Sequence, residues 1–406
     1  MTSTEADTAD WLLTPEAVRH HCGELFRAGL DGRLAHFALD MDRLPGAADI
    51  VCETIAADYP SLDIPPHARW RHFVIDGLDR WAEIAATLDG DRAERARVEC
   101  ELAITSVLLD AGAGPAWRYR DRRTGKDLAR SEGLALASLE LFAAGGFSSR
   151  RDNPLQADAA GLAAVTTAAL ERAFQVTPDN PLAGAEGRAA LIRRLARVVA
   201  ATPQVFGADR PRLGHLADHL LALSQAGRIA ARTVLIALLR ILGPIWPDRI
   251  ELAGRNLGDT WPHPAAGGAG LVPFHKLSQW LAYSLIEPLA RLGVEVTDTD
   301  ALSGLAEYRN GGLFIDTGVI VPRRPAATTT AFAPSSELVV EWRALSVCLL
   351  DEIAGLVRRE LGRDRRQLPL ASILQGGTWT AGRRLAAALR PDGRPPIAIV
   401  SDGALF

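Results

Sequence analysis

A polar and aromatic stripe on one predicted helix offers the first group of side chains suited to chemistry. The pattern predicts a helix over about 274–292, and five residues recur on one of its faces: Lys276, Gln279, Trp280, Tyr283 and Glu287. A lysine amine can donate a proton or a hydrogen bond, and aromatic rings among polar groups are typical of a lined cavity. The alternative is a solvent-exposed face whose lysine lays its stem along the apolar surface.

A second group follows in the stretch Glu307-Tyr308-Arg309-Asn310, just before a double glycine. It brings a carboxylate, a phenol, a guanidinium and an amide together. A carboxylate in such a setting can activate a water molecule or stabilise a cation. The alternative is the C-terminal end of a helix with charged surface residues, because glycine commonly follows a helix.

A third group flanks a bend of glycine and alanine between Asp110 and Trp117. Either the backbone approaches a ligand there, with Trp117 as a stacking face, or the segment is a simple tight turn. His215 and His219 have the i, i+4 spacing of metal ligands, but the residues between them lack the glutamate of the zinc-protease motif. Phosphate-binding loops and nucleophile-elbow motifs are absent from the sequence, so we predict no metal and no organic cofactor.

A mainly helical chain must position these groups. Thr14-Pro15-Glu16 marks a helix start, and apolar residues at helical spacing predict further helices. They are expected at about 43–58, 68–88, 92–110, 132–144, 156–175, 186–201, 213–223, 227–242, 274–292, 336–361 and 369–389. We therefore expect a mainly α fold, a single large helical domain with a small β-hairpin or minor sheet.

The remaining segments are predicted to be short strands and loops. A hairpin is expected within Trp117–Arg130, with its turn at residues 123–125. Leu313–Ile315 has the composition of a strand, and 244–273 is predicted to be a long irregular loop. Residues 1–10 are expected to be a flexible N-terminus, 322–334 a flexible connector, and 11–406 a single catalytic domain.

Composition limits the possible partners. The chain of 406 residues carries 45 basic and 49 acidic side chains, and only two of the basic residues are lysines, Lys126 and Lys276. Without a broad basic face, nucleic acid is not an expected partner. The longest apolar runs, such as Val234–Leu239, fall far short of the ~20 residues needed to span a bilayer, so no membrane partner is expected. The acidic start and the four dispersed cysteines predict a cytoplasmic location.

Several motifs resemble the URC uracil-catabolism family of fungi and bacteria, whose members are uncharacterised. They are LDMDRLPGAADIVCETI (39–55), LLDAGAGPAWRYRDRRTGKDLARSEGLALASLELFAAGGFSS (108–149), FHKLSQWLAYSLIEPL (274–289), LAEYRNGGLFIDTGVI (305–320), LQGGTWTAGR (374–383) and SDGALF (401–406). The resemblance covers nearly the whole chain. It implies a place in a pathway that opens the uracil ring on its ribosyl form and yields ribosylurea and then urea.

The motif order is also similar, more distantly, to the queuosine salvage family of nucleosidases, which cut an N-glycosidic bond, and this likeness implies their fold. In that family a lysine and an acidic residue in two motifs line the active site. The corresponding stretches here are FHKLSQ and AEYR, so the resemblance carries those roles onto Lys276 and Glu307, 31 residues apart. The acid is Glu rather than Asp, and small residues precede Trp117, so we expect a different and more open base pocket.

The two resemblances together imply a hydrolase that cleaves the N-ribosidic bond of a ring-opened pyrimidine riboside, namely ribosylurea or its 5′-phosphate, and releases urea. Glu307 and Lys276 are the expected catalytic residues. The expected substrate-binding residues are Asp110, Trp117, Gln279, Trp280, Tyr283, Tyr308, Arg309 and Arg130. The expected partner is a small riboside or ribotide. The alternatives are a non-catalytic partner that binds and channels intermediates, and an amidohydrolase that acts on the ureido group.

Overall fold

Helices make up most of the computed structural model, which describes residues 4–88, 91–324 and 329–400. They are α1 (Glu5–Leu12), α2 (Pro15–Leu30), α3 (Leu44–Asp58), α4 (Arg80–Ala85), α5 (Arg92–Leu108), α6 (Arg130–Ala143), α7 (Ala159–Ala163), α8 (Thr167–Ala173), α9 (Ala185–Ala201), α10 (Pro203–Phe206), α11 (His215–Leu223), α12 (Ala231–Leu242), α13 (Lys276–Ser284), α14 (Ile286–Arg291), α15 (Tyr308–Asp316), α16 (Glu337–Glu360), α17 (Leu370–Ile373) and α18 (Trp379–Leu389).

The strands are short and pair only two by two within the described ranges. They are β1 (Phe37–Leu39), β2 (Val74–Ile75), β3 (Leu78–Asp79), β4 (Tyr119–Arg120), β5 (Asp127–Leu128), β6 (Arg228–Ala230), β7 (Glu251–Leu252), β8 (Arg255–Asn256), β9 (Thr260–Pro262), β10 (Leu271–Pro273), β11 (Glu295–Thr297), β12 (Ile320–Pro322), β13 (Ala331–Phe332) and β14 (Ala398–Ile399). The pairs β6–β11 and β13–β14 are parallel, and the others are antiparallel. The mainly α prediction with a minor β element is confirmed.

The described chain groups into two compact units. The first consists of the residues up to His67, of Arg249–Gln279 and of Asp298–Val400, and the second of Ala68–Asp248 and Trp280–Thr297. Each unit draws on separate stretches of the chain, so no single sequence boundary divides the segment 11–406.

The first unit is built around α16, which packs against α2, α3 and α15. Its core contains Val18, Leu25, Phe274, Val340 and Val347, all buried. Burying these apolar side chains removes them from water and provides the main driving force for this packing. The second unit is centred on α5, which is buried from Val98 to Leu108 and packs against α6, α11 and α14. No helix in the described part of the chain combines the length and apolar character required to cross a bilayer.

Two local predictions are confirmed in detail. Thr14 caps α2 by accepting the N–H of Ala17, and Pro15 follows at the first helical position. The predicted hairpin is β4–β5, in which Arg120 pairs with Asp127. Its turn contains Gly125 at a φ of 68°, a left-handed conformation that glycine adopts without steric cost.

Three segments differ from the sequence predictions because of turn chemistry. Part of the helix predicted at 68–88 is the hairpin β2–β3, whose turn Asp76-Gly77 has φ values of 53° and 78°. The predicted irregular loop 244–273 contains the hairpins β7–β8 and β9–β10. The helix predicted at 369–389 is interrupted by a π-helical turn, Leu374–Thr378, which contains two glycines.

Two terminal or connecting segments also differ in part from prediction. Residues 5–10, expected to be flexible, belong to α1, whose start is closed by a reciprocal capping box between Thr4 and Asp7. In the predicted connector 322–334, β12 ends at Pro322 and β13 occupies Ala331–Phe332. The motif at 401–406 and residues 1–3, 89–90 and 325–328 lie outside the described residues.

Candidate functional site

Glu307 sits at the start of α15, not at the end of a helix. The predicted strand Leu313–Ile315 and the predicted helix end at the double glycine are therefore wrong, since α15 runs through both glycines. A Cβ atom on Gly311 would lie 2.7 Å from Oγ of Ser346 and 2.8 Å from the Trp342 ring. Gly311 is therefore explained by close helix packing rather than by a bend.

The Glu307 carboxylate caps α15. One of its oxygens accepts the backbone N–H of Arg309 at 2.8 Å, and the other accepts that of Asn310 at 2.6 Å. The side chain is nearly buried, with 8% of the residue exposed. A negative charge at this end of a helix interacts favourably with the helix dipole.

The residues around Glu307 are held tightly. Asn310 donates from its side-chain amide to the carbonyl of Leu305 at 3.1 Å and accepts the hydroxyl of Thr378 at 2.8 Å. Arg309 is buried and donates to the carbonyl of Gly393 at 3.0 Å, with its guanidinium 5.1 Å from the centre of the Tyr308 ring. The start of α15 is thus a fixed platform for the Glu307 carboxylate.

Lys276 is the first residue of α13 and is half-buried. Its backbone N–H donates to Asp259 at 3.1 Å. Asp259 also forms a two-bond fork with Arg343, at 2.8 and 2.6 Å. Burial acts to raise the pKa of Asp259, but the charge and hydrogen bonds of Arg343 outweigh it and hold that pKa well below its usual range.

Arg343 connects the two predicted catalytic residues through the scaffold. Besides the Asp259 fork it donates from Nε to the carbonyl of Ala306, the residue before Glu307, at 3.3 Å. Its guanidinium also lies 4.0 Å from the centre of the Phe274 ring. One buried cation therefore contacts both the carboxylate at the start of the Lys276 helix and the chain that leads into Glu307.

Gln279 makes a second connection of the same kind. Its amide nitrogen donates to the carbonyl of Phe274 at 2.9 Å and to the hydroxyl of Ser303 at 2.7 Å, and its oxygen accepts the N–H of Ser303 at 2.7 Å. Both amide hydrogens are used in these bonds, and the side chain is fully buried. The geometry assigns Gln279 a positioning role, and its predicted contact with substrate stays a prediction.

Sequence reasoning missed His67. Its Nδ1–H donates to the amide oxygen of Gln375 on the π-helical turn at 2.8 Å, and its ring lies 5.6 Å from that of Trp379. In the neutral ring this bond makes Nε2 an acceptor. Burial lowers the pKa of His67 to about 4, against the hydrogen bond to Gln375, and the charge of Lys276 lowers it further. A neutral imidazole thus lies near Lys276. The available signal was the motif 374–383, which contains its partner Gln375. The structure forms a π-helical turn there, and such turns are frequent at functional sites.

The second unit contains the other predicted site residues. The Asp110 side chain is only 6% exposed and pairs with the fully buried Arg69 at 3.0 Å. Arg69 also lies 5.5 Å from the centre of the Trp280 ring. Trp117 is fully buried and donates to the carbonyl of Phe174 at 2.9 Å.

The last two predicted residues lie elsewhere in that unit. Tyr283 is fully buried, and Arg130 is the half-buried first residue of α6 with a φ of 53°. The helix predicted at about 132–144 begins at Arg130, two residues earlier. The structure thus places Lys276, Gln279, Glu307, Tyr308 and Arg309 in the first unit and Asp110, Trp117, Arg130, Trp280 and Tyr283 in the second. Substrate contact by all of these residues stays a prediction.

Metal-ligating side chains gather in the first unit. Within the described ranges, two groups have ligand atoms close enough to share an ion: His20, His21 and Glu24, and His36, Glu337 and Glu341. In the second group Glu341 already accepts the backbone N–H groups of Ala35 and His36, both at 3.0 Å. His215 uses Nδ1 in a bond to the carbonyl of Phe206.

Comparison with known proteins gives matches over almost the full length. The sequence model of a family described as "Protein of unknown function (DUF1688)" matches residues 11–406. "Protein urg3" of Schizosaccharomyces pombe is 38% identical over 413 residues, covering 98% of this chain and 99% of the relative. "Uracil catabolism protein 4" of Lachancea kluyveri is 36% identical over 413 residues, covering 93% of each chain.

Proposed function

This chain belongs to the DUF1688 family, and from that membership and the geometry around Glu307 we propose that it is an N-ribosidic hydrolase of uracil catabolism. Its substrate in this proposal is a ring-opened pyrimidine riboside, ribosylurea or its 5′-phosphate, and its products are urea and ribose or ribose 5-phosphate. The name of the Lachancea kluyveri relative supports a role in uracil catabolism. Cleavage of the N-ribosidic bond is what the proposal adds to that role.

The observation that carries the proposal is the setting of the Glu307 carboxylate. Breaking a ribosyl C–N bond builds positive charge on C1′ and the ring oxygen, and a fixed carboxylate beside C1′ stabilises that charge. Glu307 is held by two peptide N–H groups at a helix start, so it need not reorganise as the cation develops. It can also take a proton from the attacking water.

Lys276 supplies the complementary charge. As the C–N bond breaks, its electron pair goes to the departing urea nitrogen, which then needs a proton. The Lys276 ammonium can donate a hydrogen bond or that proton, while the oxygen of water forms the new bond to C1′. The balance is one water consumed and one urea released.

His67 and Arg343 act as positioning residues in this proposal. Neutral His67 adds no positive charge beside Lys276, and its bond to Gln375 fixes the ring. Arg343 contacts the start of α13 through Asp259 and the chain before Glu307 through Ala306. Tyr308, half-buried in the first turn of α15, is the side chain we assign to a ribose hydroxyl.

The test is an assay of purified full-length protein on ribosylurea and on its 5′-phosphate, with urea, ammonia and reducing sugar measured separately. We expect urea and free sugar in equal amounts, and no ammonia. Ammonia formed without free sugar would contradict the proposal and indicate attack on the ureido group. Binding of both compounds without any product would contradict it in favour of a non-catalytic partner.

A further inference from the structure

A groove in the second unit has an excess of positive charge. It lies among α9, α10, α11 and the end of α12 and has a volume of about 690 Å³; we call it the α9–α12 groove. Four cationic or titratable side chains line it: Arg194 and Arg197 on α9, His219 on α11 and Arg240 in the last turn of α12. No carboxylate is among the described residues that line it.

Arg194 and Arg197 are one helical turn apart on α9, so their side chains share a face. Within the described ranges neither forms an ion pair. Their neighbour Arg193, by contrast, pairs with Glu186 at 3.1 Å and donates to the carbonyl of Val165 at 3.1 Å. Like charges on one helical face repel, and a bound anion would remove that repulsion.

A second groove in the same unit shows that arginine alone does not produce this excess. That groove, of about 830 Å³, is lined by Arg150, Arg210 and Arg212. It is also lined by four acidic residues, Glu94, Asp152, Asp158 and Asp209. Arg212 pairs with Glu94 at 2.7 Å, and Arg150 pairs with Asp152 at 2.5 Å. In a chain whose basic residues are nearly all arginine, paired arginines are ordinary, and Arg194 and Arg197 depart from that pattern.

The rest of the α9–α12 groove restricts the kind of anion. Its remaining wall is largely apolar, with Val198, Ala201, Val205, Ile241 and Pro244. Its volume lies within the roughly 300–1,000 Å³ usual for small-molecule sites. Guanidinium groups present forked donors that match phosphate oxygens, and an apolar wall accommodates a flat ring.

We propose that the α9–α12 groove binds a nucleoside phosphate, with the phosphate at Arg194 and Arg197 and the base against the apolar wall. This site is independent of Glu307. It needs neither Lys276 nor the ribosidic hydrolysis proposed above, and it gives the protein a second small-molecule ligand.

The test is calorimetric titration of the full-length protein with adenosine and uridine 5′-monophosphates, with inorganic phosphate and with the uncharged nucleosides. We expect the nucleotides to bind, more weakly as salt is raised, and the nucleosides and inorganic phosphate to bind at least about tenfold more weakly. The double variant R194A/R197A should weaken nucleotide binding by at least about tenfold. R193A is the matched control and should bind as the wild type does.

Two results would overturn the proposal. The first is nucleotide binding that is absent, or that is the same in R194A/R197A as in R193A, once circular dichroism shows that both variants are folded. The second is equal affinity for inorganic phosphate and the nucleotides, which would show that the base does not contribute to binding. Because Glu307→Gln should retain nucleotide binding, failure of this proposal and failure of the hydrolase proposal are distinguishable.

Discussion

Each unit contains a buried ion pair of arginine and aspartate, and the two pairs differ in how fully hydrogen bonds satisfy their charged atoms. In the first unit, Asp259 accepts two bonds from Arg343, one from the Trp261 indole and one from the backbone of Lys276. In the second unit, Asp110 accepts one bond from Arg69 at 3.0 Å. Arg69 Nη2 and Asp110 Oδ1 have no hydrogen-bond partner among the described residues.

The difference indicates what each pair does. A buried ion pair stabilises a fold weakly unless further hydrogen bonds satisfy both ions. The Asp259–Arg343 pair meets that condition and thereby fixes the segments that carry Lys276 and Glu307. The Arg69–Asp110 pair meets it only in part, through the Ser106 hydroxyl at 2.7 Å from Arg69 Nε. We therefore expect the first pair to matter more for stability.

The largest expected effect on stability comes from breaking the complete pair. Asp259→Asn keeps the shape of the side chain but leaves Arg343 as a buried cation and turns an amide group toward donors. We expect a loss of about 3–5 kcal/mol in the free energy of unfolding, measured by guanidinium denaturation. A loss below about 1 kcal/mol would show that the fork is not the scaffold described here.

The matched change in the other unit should cost less. The Asp110 carboxylate accepts one bond, against four at Asp259, so Asp110→Asn disturbs fewer donors. Arg69 also keeps its bond to Ser106 and its position over the Trp280 ring. We expect a loss of about 1–3 kcal/mol in the same denaturation experiment. A loss equal to or greater than that of Asp259→Asn would contradict the comparison.

A smaller effect on stability, one that depends on pH, is expected from His67 in the first unit. The pKa of His67 is about 4 in the fold, against 6.5 for an unburied histidine, so the unfolded chain binds more protons between these values. The stability that neutral His67 contributes is fully present above pH 6.5 and is lost as pH falls toward 4. We expect His67→Gln to flatten this part of the pH dependence, measured as denaturation midpoints at several pH values. An unchanged slope would mean that His67 is not buried in the neutral form.

The local turn and cap signals of this sequence explain most of what could be predicted of the fold. Thr14-Pro15 and the turn at Gly125 act through their own backbone geometry, so their local structure can be predicted from the sequence. The failures have a common cause in long-range packing or unrecognised turns. The sequence around Gly311 is typical of a helix end, because its contacts with Trp342 and Ser346 come from a distant helix and leave no local signal. The Asp76-Gly77 turn lies within an apolar pattern with helical spacing, which predicts a helix where the chain forms a hairpin.

The candidate site was predictable only in part for the same reason. Lys276 and Glu307 stand in motifs and were found through a resemblance. Asp259, Arg343 and His67 have no local signal, because their importance arises from contacts with residues far away in the chain. Asp259 does lie in the predicted loop 244–273, and long loops without secondary structure of their own are often functional.

The most direct test of the central claim is the rate of urea release from ribosylurea and its 5′-phosphate by Glu307→Gln. Glu337→Gln, which changes an exposed carboxylate in the first turn of α16, is the matched control. We predict that Glu307→Gln, folded by circular dichroism, releases urea about 10²–10⁴ times more slowly than the wild type, while Glu337→Gln is unchanged. Urea release by Glu307→Gln within a few-fold of the wild-type rate would contradict the account.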